Sequence, residues 1–206
     1  MSCSPRPHDL LWLSSDRALS AISEAWVSQH WHHALPVVVR RDVNRSGLIP
    51  VGVRGVTREQ RAAGWADPAG ITRIVTPEML AERQHLFGSP FADYPPVKAA
   101  MALSDSVWPW SWGVTGSTGY ALATRIPTLH AASDLDLLIR APQPLARDDL
   151  QQWQAQTETL PCRVDTQVET PLGAFALNEW LREGRVLLKT ATGPVLTPSP
   201  WSRDSA

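Results

Sequence analysis

The sequence predicts an α+β protein in two parts: a small N-terminal α/β domain carrying a β-hairpin, and a C-terminal domain in which helices alternate with the strands of a mixed sheet. Three observations carry this. "LPVVVRR" and "LIPVGVRG", separated by "NRSG", are two β-branched runs around turn chemistry, the pattern of a hairpin. From Trp108 onward, period-two and helical patterns take turns. At 206 residues, with 43% hydrophobic and 19% charged residues, the chain can bury one good core or a core with a small satellite.

Taken in order, Pro5–Ser14 reads as an extended segment. Ser15–His33 reads as a helix, capped by Ser14 or Ser15, with Leu19, Ile22, Trp26 and Val27 at helical spacing. Leu35–Arg41 and Leu48–Gly55 form the hairpin, and Thr57–Ala63 reads as a short basic helix with Arg58 and Arg61 on one face. "TRIVTPEMLAERQ" is a strand followed by a helix opened by Thr-Pro-Glu. The proline-rich stretch Gly88–Val97 holds the expected boundary, with domains at 1–90 and 91–206.

In the second domain, Trp108, Trp110 and Trp112 recur at period two, on one face of an extended segment; the stripe is either core between layers or a stacking surface for an adenine. Gly116-Ser117 opens a helix running through Thr124. "SDLDLLIRAP" is a strand ended by Pro142, and Pro144–Thr159 is a helix. Cys162–Thr170 alternates, with Cys162, Val164, Thr166 and Val168 on one face and Arg163, Asp165, Gln167 and Glu169 on the other. "GAFALNEWLREG" reads as a helix stopped by Gly184, and "RVLLKT" with "PVLTP" as a closing hairpin.

The net charge of −1 supplies no global field toward nucleic acid or an anionic membrane, so neither is expected as a partner. Cys3 and Cys162 have no metal spacing and read as free thiols of a reducing cytoplasm. The N-terminal residues Met1–Asp9 are polar and interrupted by proline, unlike a secretory leader, and no apolar run has the length of a membrane span.

The chemistry concentrates at Asp134 and Asp136. On a strand, residues two apart point the same way, about 6.5–7 Å apart along the chain. Two carboxylates facing one space repel unless a cation lies between them. Mg²⁺ (or Mn²⁺) takes carboxylate oxygens and leaves positions for water and phosphate. The plain alternative is that Asp134 caps a turn and Asp136 faces solvent on an edge strand. Gly116 and Ser117, at a helix start just upstream, have the makings of a phosphate cradle. Asp165 lies on the polar face of the next strand as a third acid, with Glu169 on the same face as its alternative. Lys189 is either a phosphate-neutralising cation or a solvated strand lysine. Arg40, Arg41, Arg45, Arg54, Arg58 and Arg61 crowd the N-terminal half; Arg54, followed by Gly55 in "VGVRG", is the strongest candidate for an anionic ligand, and the Arg40–Arg41 pair is the next. His8 beside Asp9 is a weaker candidate.

Strand, Gly-Ser, helix, DxD strand, helix, acidic strand is the order of the DNA-polymerase-β-like nucleotidyltransferases, which the chain resembles from Trp112 to Glu169 through "TGS…SDLDLLI". "RPHDLLWL", "PVVVRR", "IPVGVRG" with "REQR", "VTPEML" and "GAFALNEWLREGRVLLKTATGPVL" narrow the resemblance. From Arg6 to Leu196 the sequence resembles the phosphoribosyl-dephospho-CoA transferases of malonate decarboxylase, the holo-acyl-carrier-protein synthases of that system. That resemblance implies transfer from 2'-(5''-triphosphoribosyl)-3'-dephospho-CoA to a serine of the apo acyl-carrier subunit, with release of pyrophosphate. For that chemistry Asp134, Asp136 and Asp165 are assigned as the Mg²⁺-binding catalytic acids, Gly116 and Ser117 as holders of the leaving phosphates, and Arg54, Arg40, Arg41 and Lys189 as substrate-binding residues. Two other readings stay open at this point: a nucleotidyltransferase acting on a small molecule or RNA, and a non-catalytic binding module of the same fold.

Overall fold

A computed structural model of the chain describes residues 4–43, 46–57 and 59–202. Cys3, Arg45 and Arg58 lie outside the described residues. The chain divides into two compact units between Thr76 and Pro77, ahead of the boundary expected at 88–96. The α+β class holds in both units. No described helix is long and apolar enough to cross a membrane.

The N-terminal unit is an antiparallel six-stranded sheet. Its strands are β1 (Leu10–Leu13), β2 (Leu19–Ser20), β3 (Val37–Val39), β4 (Ile49–Arg54), β5 (Arg61–Ala66) and β6 (Ile71–Val75), in the order β2-β5-β4-β3-β1-β6. The expected hairpin is β3–β4, with Val39 opposite Val51. Leu11, Leu13, Val37, Val39, Val51 and Val53 form the core with Val27 and Trp31 of and next to α1 (Val27–His30).

Two expected helices are absent here. Over Ser15–His33 only α1 and a 3₁₀ turn at Asp16–Ala18 are helical. Ala21 adopts a left-handed φ of 55°, which a helix cannot contain, and Leu19 and Ser20 pair with Ala66 and Trp65. Ile22 instead packs over Gly64, where a Cβ would fall 2.3 Å from Ile22 Cδ1. The basic stretch at 57–63 runs into β5. The spacing of Arg58 and Arg61 suggested a helical face, but Ala62, Gly64 and Ala66 alternate inward, and Arg61 pairs with Arg54. The connecting turn is closed by the Gly55 N–H donating to the Gln60 carbonyl and by Gln60 Oε1, which accepts from the N–H groups of Val56 and Thr57.

The C-terminal unit opens with α2 (Pro77–Leu80), α3 (Arg83–Phe87) and α4 (Pro95–Ser104). These residues belong to this unit because the Pro77–Glu78 peptide lies directly on a strand: a Cβ at Gly113 would meet the Pro77 carbonyl carbon at 2.1 Å. The second sheet contains β7 (Ser111–Val114), β8 (Leu135–Arg140), β9 (Val164–Thr170), β10 (Gly173–Ala176), β11 (Val186–Thr190) and β12 (Gly193–Thr197), in the order β12-β11-β10-β9-β8-β7. The β8–β9 pair is parallel and the others antiparallel, so the sheet is mixed as expected. Helix α5 (Gly116–Thr124) connects β7 to β8, and α6 (Arg147–Glu158) connects β8 to β9. The first four residues of "GAFALNEWLREG" form β10 rather than helix, because they pair with β9 (Ala174 opposite Glu169). Only Leu177–Glu183 is helical (α7), ended by left-handed Gly184 at φ 68° as its glycine signalled.

The tryptophan stripe is core. Trp153 of α6 is fully buried and forms edge contacts with Trp108, Trp110 and Trp112 at centroid distances of 4.8, 6.1 and 5.5 Å. Its indole N–H donates to Thr166 Oγ1 at 3.0 Å, satisfying the one polar atom it buries. Trp112 pairs with Ile139, so the stripe covers the sheet face of Leu135, Leu137 and Ile139, and the aspartates occupy the other face. Truncating Trp153 to alanine is expected to cost about 3–5 kcal/mol, the usual range for deleting a buried aromatic. Urea unfolding monitored by circular dichroism measures it.

Candidate functional site

β8 is buried along nearly its whole length, with Leu135, Leu137, Leu138 and Ile139 at 1% exposure or less. The acids survive in this apolar context because they lie at the strand's opening, both half-buried and on the face away from α6. Parallel pairing with β9 places Asp165 directly opposite Asp136. Neighbouring strands are about 4.8 Å apart, so two carboxylates stand side by side while Asp134 follows one pleat along.

Helix α5 begins against this pair. The Thr115 N–H donates to the Asp136 carbonyl at 2.9 Å and Thr115 Oγ1 donates to the same oxygen at 3.3 Å. Thr118 Oγ1 donates to the Asp134 carbonyl at 3.4 Å. Gly116 has φ 63°, and a Cβ there would fall 1.9 Å from Asp136 Oδ2. Only glycine satisfies both the conformation and the approach. The opening turn of α5, whose N–H groups have no acceptor within the helix, therefore stands beside the carboxylates. Thr128 Oγ1, on the loop returning to β8, donates to the Ser117 carbonyl at 3.1 Å and braces the turn from outside.

Register separates the two candidates for a third acid. Glu169 lies four residues beyond Asp165 and is spent elsewhere. Arg140 holds Glu169 at 3.0 Å and Glu78 at 3.1 Å, with Arg140 and Glu169 at 9% and 13% side-chain exposure. This largely buried ion triad, with Glu78 the most open member at 23%, ties α2 to β8 and β9. Asp165 is far more open, at 41%, and pairs with Arg163, whose Nη2 lies 2.8 and 3.1 Å from the two carboxylate oxygens. The Arg163 guanidinium has its pKa raised by the hydrogen bond to Asp165, then by Asp165's charge, with Asp134 and Asp136 adding to it. The neighbouring Cys162 thiol, free in the structure, is pushed up by burial first and by Asp134's charge second.

The structure thus brings together Asp134, Asp136, Asp165, Gly116 and Ser117. It does not add Lys189. That residue is exposed, pairs with Ala174, and through it is level with Glu169 and Arg140 rather than with Asp165. Arg40, Arg41 and Arg54 belong to the N-terminal unit. Arg40 donates from Nε to the Val51 carbonyl at 2.9 Å and pairs with Asp42 at 3.2 Å; with Arg41, Pro5 and Pro7 it lines a cleft of about 360 Å³. Arg54 is half-buried on β4, opposite Arg61. Asp9 is buried and accepts the Arg6 N–H, closing the turn in which His8 takes a φ of 75°. Arg163, Thr115 and Thr118 escaped the sequence reading as site residues. The alternation of β9 did put Arg163 on the Asp165 face, whereas nothing local marks the two threonines.

Among the described residues no three His, Cys, Asp or Glu side chains close around a metal ion by themselves. The donor set nonetheless fits a hard divalent cation. All donors are carboxylate oxygens, they face one open side, and Mg²⁺ sites of this type use one or two carboxylates and leave the rest to water and phosphate.

If Glu169 is structural and Asp165 is not, their environments predict opposite stability effects. Arg140→Met strands two partly buried carboxylates around a buried position and is expected to cost up to about 3 kcal/mol. Asp165→Asn is expected to stay within about 0.5 kcal/mol of the parent. Chemical denaturation of both variants checks the contrast.

The chain matches two families along most of its length. Residues 6–77 match the phosphoribosyl-dephospho-CoA transferase MdcG N-terminal domain, and residues 84–200 match the phosphoribosyl-dephospho-CoA transferase MdcG C-terminal domain. A phosphoribosyl-dephospho-CoA transferase of Klebsiella pneumoniae (strain 342) is 67% identical over 204 residues, covering 99% of this chain and 100% of that protein. Proteins of the same description from Azotobacter vinelandii (44% identical; 98% of this chain, 97% of the relative) and Pseudomonas aeruginosa (43%; 96% and 94%) are similar over comparable lengths. No solved structure matches the chain.

Proposed function

The chain belongs to the phosphoribosyl-dephospho-CoA transferase family and is an enzyme, and from that premise we propose that it acts on the acyl-carrier subunit of malonate decarboxylase. In this reading it transfers the phosphoribosyl-dephospho-CoA group from 2'-(5''-triphosphoribosyl)-3'-dephospho-CoA to a serine of the apo subunit. The observation that carries it is the register of Asp136 with Asp165 beside the Gly116 turn, an oxygen-lined site next to a helix N-terminus.

The reaction is a displacement at the α-phosphorus. The serine oxygen bonds to that phosphorus as its bond to the bridging β-phosphate oxygen breaks, and pyrophosphate leaves with the negative charge. Little covalent work falls to the protein; positioning and electrostatics do most of it. Asp134 and Asp136 would hold Mg²⁺, with Asp165 either completing the oxygen set or accepting the serine proton. The bound ion would neutralise charge developing on the phosphate oxygens. Gly116 and Ser117 present the opening amides of α5 to the departing phosphates, and Thr115 and Thr118 keep those amides fixed against the aspartates. Arg54, Arg40 and Arg41 take anionic groups of the substrate or of the carrier subunit. We place the reaction in the cytoplasm.

Incubating the full chain with apo carrier subunit and the triphosphoribosyl substrate, read by intact mass, tests the reading. The carrier should gain one phosphoribosyl-dephospho-CoA, and an unmodified carrier would sink it. Asp134→Asn and Asp136→Asn are each expected to lower kcat at least about a hundredfold, the scale of losing a preorganised charge-stabilising group. Excess EDTA is expected to stop transfer and added Mg²⁺ or Mn²⁺ to restore it.

Arg54→Ala should behave differently. A charge-assisted contact is worth about 1.5–3 kcal/mol, so KM for the substrate that Arg54 touches should rise roughly 10- to 150-fold with kcat mostly retained. Steady-state kinetics with each substrate varied in turn measure this, and a collapse of kcat at constant KM would instead make Arg54 part of the reacting centre.

A further inference from the structure

We propose that Arg163 is the resident counter-cation of the acid face, the group that a divalent ion displaces from Asp165 and that, once displaced, donates to the substrate's triphosphate. The inference rests on the metal-dependent reading above and extends it to a residue with no role there.

The geometry argues for it in three steps. First, Arg163 occupies the oxygens that the metal needs. Its Nη2 contacts both Asp165 carboxylate oxygens, at 2.8 and 3.1 Å, and its own carbonyl accepts the Leu135 N–H at 2.9 Å, which fixes its backbone beside the start of β8. The same lone pairs cannot serve a guanidinium and a cation at once. Second, the guanidinium contacts Asp165, and the charges of Asp134 and Asp136 also favour its charged form. Third, the pair is built to exchange. The Arg163 side chain is 75% exposed, and an exposed ion pair is weak because water solvates both partners. Arg140 makes the contrast: also paired with acids of this sheet, it is buried between Glu78 and Glu169 and has no room to swing. A released Arg163 stands beside the acids with a planar fork of donors, the shape that takes two phosphate oxygens together.

The test is Mn²⁺ binding to the full chain without substrate, read from the electron paramagnetic resonance signal of free Mn²⁺. Arg163→Gln is expected to bind Mn²⁺ about three- to tenfold more tightly than the parent, since a competing positive charge is gone. Arg163→Lys should fall between the two. In an Asp165→Asn background, Arg163→Gln should change affinity little, because the competition is for Asp165. In transfer assays at saturating Mn²⁺, Arg163→Gln should raise KM for the triphosphoribosyl substrate, with partial rescue by lysine. If the parent binds Mn²⁺, Asp136→Asn abolishes binding, and Arg163→Gln binds no tighter than the parent, the counter-cation role is wrong and the metal site stands. If affinity tightens but KM is unchanged, the donor role falls. If neither the parent nor Arg163→Gln binds Mn²⁺, the metal reading fails and this proposal fails with it.

Discussion

The peptide of Asp136 is the point on which the site depends. Its carbonyl receives both the N–H and the hydroxyl of Thr115, and its carboxylate occupies the space where Gly116 lacks a side chain. These contacts lay the first turn of α5 against the strand that carries the acids. A residue with a Cβ at 116 would have to move either the helix or the carboxylate. The nearness of the opening turn of α5 to the aspartates thus follows from one close backbone approach. The threonines at 115 and 118 hold that approach by binding main-chain oxygens rather than the carboxylates.

The sheet then sorts charges by register. Two charged rows lie on one face of β8 and β9, Asp136 with Asp165 and Arg140 with Glu169, yet their fates differ with depth. At the opening, Asp136 and Asp165 stand together, half-exposed, with the exposed Arg163 paired to Asp165. Four residues further in, Arg140 and Glu169 stand in the same relation, Arg140 buried and Glu169 nearly so, and Glu78 from α2 pairs with the same guanidinium. Charges in a low-dielectric setting must be matched on the spot, whereas charges at the rim can wait for a ligand. One strand pair therefore carries a structural ion cluster and a ligand-ready one a few residues apart.

The opposite face carries no charge chemistry. Trp153 fills it, with three further tryptophans around it. This aromatic layer backs β7, β8 and β9 together, so the strand ends that bear Asp136 and Asp165 are held by a packed interior. The glycine at 113 lets α2 close the remaining side of β7, and α2 in turn supplies Glu78 to the ion triad.

Much of this was legible in the chain. The DxD spacing on an apolar strand, the Gly-Ser start of α5, the hairpin of β3 and β4 and the alternation of β9 are all local, because a strand's period of two and a helix's opening turn need no distant partner to be recognised. The residues from Ser15 to His33 and from Thr57 to Ala63 were misread as helices for the opposite reason. Their local residue spacing suits either structure, and only pairing across the sheet, with Ile22 over Gly64 and Arg61 opposite Arg54, makes one of them cheaper. The choice between Asp165 and Glu169 was likewise beyond the sequence. Both lie on one face of one strand, and what separates them is the row of β8 that each meets: a carboxylate for Asp165, a buried arginine for Glu169. Residue type and spacing determined which groups could do chemistry; parallel register and burial decided which of them are locked into ion pairs within the fold and which lie at its rim.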